Sequence, residues 1–130
     1  MRIELSFPGD SAIEARFDGH TVRTDQDGSV PSPFDLFLVS IATCTGTYVA
    51  RFCQQRDLST EGLEVVQTSE KDPNTGLIPH IDVQVRLPEG FPERYRTAVV
   101  RAAEQCTVKK HLQTAPEIAV RVVETVSESA

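Results

Sequence analysis

One segment limits the folds open to this chain more than any other. Between Phe34 and Phe52 the chain carries Leu36, Phe37, Leu38, Val39, Ile41, Ala42, Cys44, Tyr48, Val49 and Ala50. Ser32 ahead of it can cap a helix, Pro33 suits the first helical position, and Asp35 completes a capping-box pattern. A long helix is therefore expected from Ser32, ending where the chain turns polar at Gln54-Gln-Arg-Asp57. Its first half is apolar on nearly every side, so it should be buried on nearly every side. One small sheet does not supply that much cover, whereas a second copy of the chain does. An extensive homodimer is the expectation.

The flanking segments read as strands. Residues 2–7 and 11–17 alternate apolar with polar around Pro8-Gly9-Asp10, and a third short strand follows Asp18-Gly19 at His20–Thr24. Residues 25–32 have loop composition. A second hairpin spans Leu63–Lys71 and His80–Leu87, joined through Asp72-Pro-Asn-Thr-Gly76, with Ile81, Val83, Val85 and Leu87 on one face. Tyr95, Ala98, Val99, Ala102 and Cys106 then fall at i, i+3, i+4, i+7 and i+11, a single helical stripe. A short helix is expected over Val108–Gln113 and a last strand over Glu117–Val123. The order is α+β, with helices on one face of a mostly antiparallel sheet, in one domain over residues 1–130.

Charge narrows the partners. Nineteen acidic against thirteen basic residues leave a net charge of −6. Lys109-Lys110 is only a pair, so nucleic acid and anionic membrane are not expected partners. The first residues lack the apolar core of a signal peptide. The run Phe34–Ala42 is interrupted by Asp35 and Ser40 and is short for a bilayer span. A cytoplasmic location is expected.

Three cysteines, at 44, 53 and 106, are too few and too scattered for a disulfide framework, and no CxxC or Cys–His spacing signals zinc. Cys44 and Cys53 are nine residues apart, roughly 180° around a helix, so they share no pocket. Cys44 shares a face with Phe37, Ile41 and Tyr48, and Cys106 lies on the stripe of the second helix. Only these two thiols are placed to meet, and Cys53 reads as a small core residue. The three histidines sit beside turns or in polar stretches and read as solvated.

Two segments resemble signatures of the OsmC/Ohr family of osmotically inducible and organic hydroperoxide resistance proteins. They are Pro31-Ser-Pro-Phe-Asp-Leu-Phe-Leu-Val-Ser-Ile-Ala-Thr-Cys44 and Ala102-Ala-Glu-Gln-Cys106-Thr-Val-Lys-Lys-His-Leu112. The resemblance implies two long central helices wrapped by antiparallel sheets in an intertwined homodimer, with two active sites at the interface. It implies a thiol peroxidase for organic hydroperoxides that uses no metal or organic cofactor. Cys44 would be the peroxidatic thiolate and Cys106 the resolving thiol, with an external dithiol as reductant. The family's activating Arg comes from the early strands, which points to Arg16 here, or else Arg23.

Three positions depart from the family pattern: Phe34 stands where the peroxidases carry Glu, Phe17 stands where the activating Arg is counted, with Arg16 one residue off, and Thr107 follows the second Cys in place of Pro. A thiol in mid-helix needs a cation or a helix N-terminus to lower its pKa, so the departures favour the OsmC-like branch over the efficient peroxidases. The competing readings are a non-catalytic protein that holds a small hydrophobic ligand or acts as a slow redox sensor, and an inert structural domain.

Overall fold

The computed structural model describes residues 1–124. Its first sheet is antiparallel in the order β1 (Glu4–Gly9), β2 (Ala12–Phe17), β3 (His20–Thr24). Asp18 and Gly19 make the two-residue β2–β3 turn, closed by the Phe17–His20 pair. Both have positive φ, 47° and 79°, the conformation that a twisted hairpin selects and that Asp-Gly supplies at little cost.

The long helix α1 runs Pro33–Gln55. The Ser32 hydroxyl accepts from the Asp35 N–H at 3.1 Å, and the Asp35 carboxylate accepts from the Ser32 N–H at 2.9 Å. This is the reciprocal box expected from the residue types. Asp35 is occupied there, at the start of the helix.

The second sheet pairs β4 (Glu64–Ser69) with β5 (Ile81–Arg86) across a turn closed by Asp72 and Gly76. Ile81, Val83 and Val85 face the helices, while Asp82, Gln84 and Arg86 face solvent. A single 3-10 turn at Glu93–Tyr95 leads into α2 (Arg96–Ala103), and α3 (Thr107–Gln113) follows. The core lies between α1 and α2: Val49, Phe52, Cys53, Val99 and Ala103 are buried together, with Tyr95, Val85 and Leu87 packed around them.

Two expectations are corrected. The stripe through Tyr95 and Cys106 does not lie on one helix. The chain leaves helical geometry after Ala103, and Cys106, with ψ 122°, caps α3 instead. The second long helix is therefore two short ones.

No strand forms over Glu117–Val123. Alternation buries a strand only where a sheet edge receives it, and in the single chain Ile118, Val120 and Val122 are 82%, 94% and 93% exposed.

Within the single chain the first half of α1 is not covered all round. Phe34 is 46% and Val39 51% exposed, because α1 packs on α2, α3 and β4 on one side only. By length and composition α1 could also cross a bilayer, which the shorter Phe34–Ala42 run did not convey. A core helix has the same features, and the hydroxyls of Thr43, Thr45 and Thr47 bond back to helix carbonyls.

Candidate active site

Cys44 lies midway along α1, one turn after Ser40 and one turn before Tyr48. The break between α2 and α3 brings the first turn of α3 against this face of α1. Cys106 is 1% exposed there, and its sulfur accepts from the Lys109 N–H at 3.4 Å, a thiol serving as a helix cap. That cap ends one helix and starts the next, and it points the free N–H groups of the α3 first turn towards Cys44.

The electrostatics follow from that contact. Burial pushes the Cys44 thiol up, but the donors around it outweigh burial and hold it below the ordinary thiol value. They are, in order, the Val108 N–H, the Cys106 thiol, the Thr107 N–H and the Thr107 hydroxyl. Cys44 and Cys106 thus face each other, both as free thiols. A mid-helix cysteine was expected to need a cation or a helix N-terminus. Of these two, the N-terminus of a neighbouring helix lies against Cys44 and supplies neutral donors.

Arg16 and Arg23 stand elsewhere within the chain. The Arg16 guanidinium donates to the Ser6 hydroxyl at 3.2 Å across β1–β2, and Arg23 pairs with Glu14 at 3.8 Å. No helix packs broadly against the sheet that carries them. Cys53 is fully buried in the core; burial raises its thiol, and Arg56 only partly offsets this.

Reactivity should separate these thiols. Alkylation tracks the thiolate fraction, so a lowered pKa means faster labelling at neutral pH. Peptide mapping after brief iodoacetamide treatment should find Cys44 labelled first and Cys53 labelled only after unfolding. Equal labelling of both in the native protein would contradict this.

Beside the thiols lies an apolar cleft of about 410 Å³, lined by Ile41, Ile81, Val83, Val85, Val100 and Leu112. Cys106 opens onto it, and Glu104 and Lys109 stand in its wall. Among the described residues, no group of three His, Cys, Asp or Glu side chains forms a metal-binding cluster.

Residues 26–121 match the family model for OsmC-like proteins. The chain belongs to the OsmC-like family. Solved structures agree in fold. One is an osmotic stress induced and detoxification response protein from Psychrobacter arcticus, at 17% identity and a TM-score of 0.71, covering 83% of this chain and 85% of that one. Another is an OsmC-like protein from Mycoplasma pneumoniae, at 15% identity and a TM-score of 0.70, covering 88% and 87%. A third, a hypothetical protein from Aquifex aeolicus, gives 14% and 0.65 over 88% and 87%. No curated protein sequence matches the chain significantly. The α+β fold of this OsmC-like chain, with antiparallel sheets and three helices, is the fold of these neighbours.

Sequence reasoning put Tyr48 on the face of Cys44 and noted Thr107 after Cys106, but it gave neither a part in the site and missed the Val108 N–H. A signal was present: the apolar stripe ending at Cys106 and the short helix expected from Val108 adjoin without a shared phase. A helix break belongs between them, and a break puts a new N-terminus beside Cys106.

Proposed function

We propose that this OsmC-like protein is a cytoplasmic thiol-dependent peroxidase that reduces organic hydroperoxides in oxidative stress defence. The observation that carries this reading is the pairing of two free thiols from distant parts of the chain, one of them held below its usual pKa. The Cys44 thiolate attacks a peroxide oxygen, the O–O bond breaks, and the alcohol leaves with a proton. Cys44 becomes a sulfenic acid. The Cys106 thiol then displaces water and forms the Cys44–Cys106 disulfide. An external dithiol reopens it by exchange and is itself oxidised to a disulfide. No metal or organic cofactor enters the scheme. Cumene hydroperoxide consumed catalytically in the presence of a dithiol supports the reading. Loss at the protein-free rate overturns it.

The working unit in this proposal is a homodimer. The exposed apolar residues include Leu5 and Phe7 of β1, Phe34 and Val39 of α1, and Ile118, Val120 and Val122 near the end of the described chain. They are too many for a stable monomer surface. A second copy would bury them, and it would bring Arg16, or else Arg23, from its outer sheet towards Cys44. Light scattering at micromolar concentration should give twice the mass of one chain. A monodisperse monomer would count against the dimer.

The apolar cleft favours a second reading, a non-catalytic carrier of a small hydrophobic ligand. Native mass spectrometry of freshly purified protein discriminates: the carrier holds a ligand and turns over no peroxide.

A further inference from the structure

Tyr48 follows Cys44 by one helical turn, on the same face of α1. Its hydroxyl lies 2.8 Å from the Thr107 hydroxyl, a side-chain hydrogen bond that ties α1 to α3. Thr107 is the first residue of α3, and its N–H and hydroxyl are among the donors that hold the Cys44 thiol below its ordinary value. A hydroxyl carries one proton and two lone pairs. If Thr107 donates to sulfur, its oxygen is free to accept from Tyr48, and the three groups form one chain of donors.

We propose that Tyr48 and Thr107 are positioning residues that form a hydroxyl relay, Tyr48 O–H to Thr107 O–H to Cys44 sulfur, stabilising the thiolate without a cation. Tyr48 sets the direction of the Thr107 proton, and the Thr107 N–H adds a second donor at the same residue. The bond to Tyr48 also fixes α3 on α1, which keeps the Val108 N–H aimed at the sulfur. The neighbouring ionisable groups are few. Cys106 faces Cys44 from the α2–α3 connection, and Arg51 lies 5.4 Å from the Tyr48 ring centre. His111 Nδ1 is 2.8 Å from the Thr107 carbonyl oxygen. Glu104 and Lys109 stand on the cleft side of Cys106.

The inference rests on reading Cys44 as the reacting thiolate, yet its test needs no peroxide. The pH dependence of iodoacetamide labelling at Cys44, followed by peptide mapping, reports the thiolate directly. Thr107→Val keeps the shape and the N–H but removes the hydroxyl. It should move the labelling midpoint up by about one pH unit, roughly a tenfold slower rate at neutral pH. Tyr48→Phe should move it in the same direction by less, and Thr107→Ser should restore it.

A merely structural role would leave the Tyr48→Phe profile superimposed on the wild type. That superposition overturns the relay even if Thr107→Val fails to fold. A wild-type protein with a low midpoint, the expected variant shifts and no peroxide turnover supports the relay while removing the peroxidase reading.

Discussion

Cys44→Ser should abolish hydroperoxide reduction, lowering turnover of cumene hydroperoxide with a dithiol by about a thousandfold. The size of the loss follows from the chemistry of the atom removed. At neutral pH a serine hydroxyl stays protonated, and the four donors around position 44 would then face an oxygen with little nucleophilic character. The donors stabilise charge; they do not create it. The fold should survive, because Cys44 lies outside the buried core cluster and serine is nearly its size. Circular dichroism matching the wild type, together with lost turnover, is the expected pair of results. Wild-type peroxide consumption by the serine variant would place the chemistry elsewhere.

Phe52→Ala should have the largest effect on stability, about 3–5 kcal/mol by urea denaturation. Phe52 is buried in the α1–α2 core. Its ring meets Tyr95 edge to face at 5.9 Å and 83°, and the Arg56 guanidinium sits 3.7 Å from its centre. Alanine removes the packing volume and both aromatic contacts at once. The consequence extends to the thiols, because α2 carries α3 and α3 carries the donors of Cys44. A variant that remains folded should show Cys44 labelling shifted to higher pH. A loss under 1 kcal/mol would mean that α2 is held to α1 by other contacts.

Local patterns were legible wherever one residue type has one strong conformational use. Ser32, Pro33 and Asp35 announced the start of α1, and Asp18-Gly19 announced a hairpin turn. The alternation of Ile81, Val83 and Val85 announced a half-buried strand. Legibility failed where a residue acts outside its common role. Cysteine is not among the residues expected to cap helices, so Cys106 was placed on a stripe it does not join.

The alternation of Ile118, Val120 and Val122 describes a strand with a partner to pair with, and one chain supplies no such edge. The pairing of Cys44 with Cys106 was visible by elimination of Cys53. The source of its electrostatic support was not, because backbone N–H groups carry no sequence signature until the helix that aims them is located.

The sulfur of Cys106 belongs to two structures at once, the cap of α3 and the thiol pair. Mutagenesis at this position therefore risks confusing architecture with chemistry. Alanine removes both properties, and a dead variant would be uninterpretable. Serine is among the strongest helix-capping residues but a poor nucleophile, so it separates the two. With serine at 106 the helix keeps its first turn, the amides stay aimed at position 44, and only the second sulfur is gone.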